Sequence, residues 1–126
     1  MTRSGPDPRQ PRLRIRILFG ERAMLGPGKA ELLERIAEGG SIAAAGRAMG
    51  MSYKRAWSLV EEMNAAFREP LVARARGGPG GGGAALTAAG ESVLRNYRDL
   101  EALTAEAGAE RIRAIEALLG DMSGER

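Results

Sequence analysis

A mainly α-helical domain with a small β component is what this sequence predicts, and three observations predict it. Residues 40–57 read as two helices meeting at a tight corner: small and apolar side chains sit where the helices touch, Gly50 stands at the corner, and Ser52 opens the second helix. Two short alternating segments, 71–76 and 84–86, flank the run Gly77-Gly78-Pro79-Gly80-Gly81-Gly82-Gly83. From Ala88 an amphipathic helical pattern continues to Leu119. Together these describe a winged helix-turn-helix with an N-terminal strand and a long C-terminal dimerisation helix. The expected divisions are a disordered arm (1–11), the winged domain (12–86), a linker and dimerisation helix (87–120) and a tail (121–126).

Each element has a local cause. Pro6, Pro8 and Pro11 with few apolar neighbours predict the disordered arm. Arg12-Leu13-Arg14-Ile15-Arg16-Ile17-Leu18-Phe19 alternates as a strand with one wet and one buried face, broken off by Gly20, Gly26, Pro27 and Gly28. A first helix is predicted over 27–38, since proline suits a helix start and Gly39-Gly40 a helix stop, with Ala30, Leu33, Ile36 and Ala37 as its apolar stripe. Ser41 is the expected N-cap of a second helix over 42–49, where Ala44, Ala45 and Ala48 leave room for close approach. A third helix runs over 52–68 until Pro70, with Ala56, Leu59, Val60, Met63 and Phe67 on one side and Lys54 and Ser58 on the other. Tyr53 lies at the edge of the apolar stripe. Trp57 lies on a flank and reads first as packing. Thr87 caps the last helix, which Val93, Leu94, Tyr97, Leu100 and Leu103 make amphipathic. Gly108 is its expected kink and Gly120 its stop.

Composition removes whole classes of chemistry. The chain has 126 residues, 44% of them hydrophobic, enough for one domain with its own core. It contains no cysteine and no histidine, so disulfides, thiolate metal sites, the commonest general base and the commonest zinc ligand are all absent. No catalytic residue, metal site or cofactor is expected. The glycine run is not a nucleotide loop, because that motif needs a lysine directly after its last glycine and a helix directly after that. The N-terminal sixteen residues have no apolar run, so neither a signal peptide nor a membrane span is expected, and a cytoplasmic location fits.

Charge points to a polyanion. The net charge is only +3, but the signs segregate. Arg3, Arg9, Arg12, Arg14 and Arg16 face Asp7 alone in the first sixteen residues. Arg47, Lys54, Arg55, Arg68, Arg74 and Arg76 outnumber Glu61, Glu62 and Glu69 in the middle of the chain, while the C-terminal part is acidic. The third helix is therefore expected in the DNA major groove, with Ser52, Tyr53, Lys54, Arg55 and Ser58 as readout candidates. Arg74, Arg76, Gly77, Gly78, Gly80 and Gly81 are expected to hold the phosphate backbone. Two other classes remain open: a winged-helix protein-interaction module without DNA, and a small oxyanion binder.

These residues carry a resemblance. Gly40-Ser41-Ile42, Gly50-Met51-Ser52-Tyr53-Lys54-Arg55-Ala56-Trp57, Glu62-Met63-Asn64, Leu71-Val72, the glycine run, Leu86-Thr87 and Gly90 resemble the N-terminal DNA-binding domain of ModE-type molybdate-responsive regulators, over residues 12–105. The DNA-binding end of LysR-type regulators is a more distant likeness. The resemblance implies a homodimeric, double-stranded-DNA-binding transcription regulator. Full-length members of the family add β-type molybdate-binding domains. This chain ends at Arg126 without such a module, so no oxyanion site is carried over, and three expectations stay open: action with a separate effector, with no signal, or with a separate molybdate-binding protein. Gly46 stands where helix-turn-helix units usually have alanine, which costs roughly 1 kcal/mol of helix propensity but keeps the helix contact small.

Overall fold

The N-terminal alternation resolves into a short hairpin. In the computed structural model, which describes residues 10–75 and 83–120, only Ile17–Phe19 forms a strand (β1), paired antiparallel with Ala23–Leu25 (β2). The longer strand expected from Arg12 onward is not formed. The cause is the partner's length: β2 reaches Leu25 opposite Ile17, and Gly26-Pro27 then begin a helix, so among the described residues no strand pairs with 12–16. Their alternation survives as burial, with Leu13 and Ile15 half-buried and Arg12, Arg14 and Arg16 exposed. β2 lies where the sequence reading saw only a break.

Helix α1 (Pro27–Gly39) buries Ala30, Leu32, Leu33 and Ile36, whereas Ala37 of the expected stripe is exposed. The stripe is turned toward Leu32 because α1 is covered together by the helix Ile42–Ala48, the strand Gly83–Leu86 and the helix Ala88–Ala107. Helix α2 (Ile42–Ala48) starts at Ser41, whose Oγ accepts the Ala44 N–H at 3.0 Å. It packs against α3 (Tyr53–Ala66) and buries Ile42, Ala45 and Gly46, whereas Ala44 is half-buried and Ala48 exposed. A Cβ at Gly46 would stand 2.9 Å from that of Ala56, so the missing side chain is what lets the two helices approach. Gly50, with φ 75°, takes the left-handed corner between them. Helix α3 stops at Ala66, two residues before the expected end, and buries Ala56, Leu59, Val60 and Met63.

Strands β3 (Val72–Ala75) and β4 (Gly83–Leu86) pair antiparallel as the stem of the wing, with Arg74 opposite Ala84. Arg76, Gly77, Gly78, Gly80 and Gly81, like most of the N-terminal arm and the tail, lie outside the described residues. Thr87 caps α4 (Ala88–Ala107), its Oγ1 accepting the Gly90 N–H at 3.0 Å. Gly108 divides α4 from α5 (Ala109–Glu116), which ends before the expected stop at Gly120.

One core cluster joins α1, α2, α3 and the wing stem. A smaller one gathers Leu25, Ala30 and Tyr97, linking β2 and α1 to α4. Among the described residues no helix is long and apolar enough to cross a membrane.

Candidate nucleic-acid interface

The N-terminal half of α3 is an open cationic surface, with Lys54 and Arg55 both exposed. Ser52 has extended backbone angles, and its Oγ accepts the Arg55 N–H at 3.0 Å, which fixes where the first turn begins. Because Ala56, Leu59, Val60 and Met63 anchor one side, helical periodicity turns Lys54 and Ser58 directly away from the protein, and both are exposed. Arg55 is exposed on the flank beside the β1–β2 hairpin, where it shares a shallow depression with Arg16, Met24 and Met51. Tyr53 lies on the opposite flank, facing the wing.

Charge along α3 is graded. Lys54 and Arg55 occupy the first turn and make no ion pair among the described residues. Glu61 and Glu62 sit two turns later, and Glu62 pairs with Lys29 at 3.4 Å. The positive end of the helix dipole reinforces the two cations, so an anion is favoured at the N-terminal half and repelled beyond it.

The wing stem is held to this helix by hydrogen bonds that sequence reasoning did not assign. Asn64, on α3, accepts the N–H groups of Leu71 at 2.8 Å and Val72 at 3.1 Å, and donates to the Val72 carbonyl at 3.1 Å. The Ala84 N–H donates to the Gly40 carbonyl at 2.9 Å, tying β4 to the α1–α2 corner. Thr87 donates its hydroxyl to the Pro70 carbonyl at 2.7 Å as well as capping α4. The exposed Arg74 is thereby held on a strand whose position relative to α3 is set. A polar Asn on the half-buried side of an amphipathic helix was the available signal for this lock.

Trp57 departs from its packing expectation: it is 38% exposed, on the same flank as Tyr53, which is 58% exposed. Tyr97 also has a role beyond helix packing. It is 2% exposed, and its hydroxyl donates to the Ile15 carbonyl at 2.6 Å, pinning the N-terminal segment to α4. Burial, with a contribution from Glu101, raises its phenol above the ordinary tyrosine range. Among the described residues, no cluster of three or more Asp or Glu side chains could hold a metal ion.

Residues 28–91 match the bacterial regulatory helix-turn-helix proteins of the lysR family. The chain is 46% identical over 80 residues to the molybdenum-pterin-binding protein MopB of Rhodobacter capsulatus, covering 64% of this chain and 30% of that protein. It is 38% identical over 88 residues to the DNA-binding transcriptional dual regulator ModE of Escherichia coli K12, covering 70% of this chain and 34% of that one. A crystal structure of full-length CbnR complexed with its target DNA superposes with a TM-score of 0.53 at 25% identity, over 69% of this chain and 28% of CbnR. The chain thus spans about a third of the length of the curated relatives it matches.

Proposed function

We propose, from the premise that this chain belongs to the lysR family of bacterial regulatory helix-turn-helix proteins and carries a ModE-type helix-turn-helix, that it binds double-stranded DNA sequence-specifically as a homodimer and regulates transcription. The observation that carries this reading is the outward face of α3, where Lys54 and Ser58 are uncovered beside Arg55 and Tyr53. A helix about 10–12 Å across fits the major groove, about 12 Å wide. In that pose Lys54 or Arg55 donates to guanine O6 and N7, Ser58 and Tyr53 reach a base edge or a phosphate, and Arg74 neutralises phosphate beside the groove. The wing residues Arg76, Gly77, Gly78, Gly80 and Gly81 extend the same backbone contact in this reading. It assigns DNA binding to 12–86 and dimerisation to 87–120, places the protein in the cytoplasm, and leaves catalysis no part.

The dimer reading rests on the uncovered apolar side chains Leu100, Leu103, Ile115, Leu118 and Leu119. A two-fold dimer puts its half-sites about 34 Å apart, or at a multiple of that spacing.

Duplex titration across salt concentrations is the test. The expected result is a log affinity that falls steeply and linearly with log salt. Lys54→Ala is expected to cost roughly 1–3 kcal/mol on a selected site and far less on random duplex. Salt-independent or undetectable duplex association would favour the protein-interaction module instead.

A further inference from the structure

Trp57 and Tyr53 are the two large aromatic side chains on α3, and the core uses neither. Ala56, Leu59, Val60 and Met63 already fill the interior side of the helix, and Trp57 remains 38% exposed. Tyr53, 58% exposed, precedes it by four residues, so the two rings stand one above the other on the same flank. They edge a groove of roughly 500 Å³ between α3 and the wing stem, whose other walls include Ala43, Ala73 and Ala75 and whose charged side chain is Arg74. An apolar flank with a cation at its rim, beside the cationic face of Lys54 and Arg55, matches an apolar group attached to a polyanion.

We propose that Trp57, assisted by Tyr53, is a specificity-determining residue that recognises the 5-methyl group of thymine. The inference rests on the DNA-binding reading above. When Lys54 and Ser58 face the groove floor, the Trp57 flank faces its wall. Thymine is the base that presents a methyl group in the major groove; cytosine at the same place presents none. Packing the exposed indole on that methyl removes water from two apolar surfaces at once. Each methyl so covered is worth about fourfold in affinity, the partition of one buried CH₂ group.

The test begins by selecting duplexes from a random pool with the wild-type chain. The best duplex is then remade with deoxyuridine in place of the half-site thymidines, which deletes the methyl groups and keeps the base pairing. The wild type is expected to lose about fourfold per contacted methyl. Trp57→Ala is expected to bind the thymidine duplex more weakly and to treat the two duplexes alike. Lys54→Ala is expected to bind both more weakly and to keep the preference for thymidine. Equal binding of both duplexes by the wild type, a preference that survives Trp57→Ala, or selected half-sites without thymine would each overturn the proposal. The wild-type comparison needs no variant, so a misfolded Trp57→Ala leaves it decisive. Failure to select any duplex would instead defeat the DNA-binding reading itself, and this inference with it.

Discussion

Helices α3 and α4 are both amphipathic, yet they finish differently. Helix α3 buries Ala56, Leu59, Val60 and Met63 inside its own subunit, and what remains outward in its N-terminal half is Lys54, Arg55 and Ser58 beside two aromatic rings. Helix α4 is held over its first half only: Gly90 and Tyr97 are buried, and Val93 and Leu94 are half-buried. Past Tyr97 its apolar face is uncovered, with Leu103 at 64% exposed, and α5 continues with Ile115 at 64%. The lesson is that amphipathicity alone does not name a partner. A helix whose apolar side is satisfied offers its polar side, which suits a polyanion. A helix whose apolar side is unsatisfied offers that side, which suits an apolar partner surface.

The comparison breaks first at the anchored end of α4. A Cβ at Gly90 would lie 2.1 Å from the Leu71 carbonyl oxygen, a backbone atom that cannot step aside without moving β3. Gly90→Ala is expected to destabilise the fold by about 3 kcal/mol or more, read by urea unfolding. A wild-type-like midpoint would mean that α4 is not seated on the wing stem as described. The next effect belongs to α3. Asn64→Ala leaves the buried Leu71 and Val72 N–H groups without their partner and is expected to cost about 2 kcal/mol. In contrast, Lys54→Ala is expected to leave stability within about 0.5 kcal/mol, because that side chain is exposed and makes no ion pair among the described residues.

Tyr97 marks where α4 passes from covered to uncovered, and its hydroxyl sharpens the boundary. Tyr97→Phe removes the hydrogen bond to Ile15 and is expected to cost about 1 kcal/mol near neutral pH. Because burial raises its phenol, the folded chain keeps this proton after the unfolded chain has released it. The associated stability is complete below the unfolded tyrosine value and is lost as pH rises through the folded one. The wild type's advantage over Tyr97→Phe should therefore hold up to about pH 10, the unfolded tyrosine value, and narrow as pH rises beyond it, in paired denaturation curves. The smallest effect on the monomer is expected beyond Tyr97. Leu103→Glu with Ile115→Glu should change unfolding by no more than about 0.5 kcal/mol per site, yet convert a dimer to a monomer by light scattering. Unchanged mass with the double variant would show that the uncovered face is not the dimer seam.

The outward row of α3 is legible in the sequence, because a helix repeats every 3.6 residues and four apolar positions suffice to orient it. Ser41, Ser52 and Thr87 were legible as caps for the same local reason: each satisfies an N–H three residues ahead. The exposure of Trp57 was not, since ring size favours burial and only the finished core reveals that its place is already filled. Nor was β2 legible, because Ala23–Leu25 is too short to announce itself and becomes a strand by meeting β1.

By itself, then, the sequence determined the helices, their caps, the corner at Gly50 and the cationic face, all of which depend on neighbours within a turn or two. Tertiary structure decided where the N-terminal alternation stops being a strand, which α1 residues face inward, how Asn64 locks the wing, and that Tyr97 reaches the carbonyl of Ile15. Those outcomes join residues far apart in the chain, and local periodicity carries no information about which distant backbone groups will need a partner.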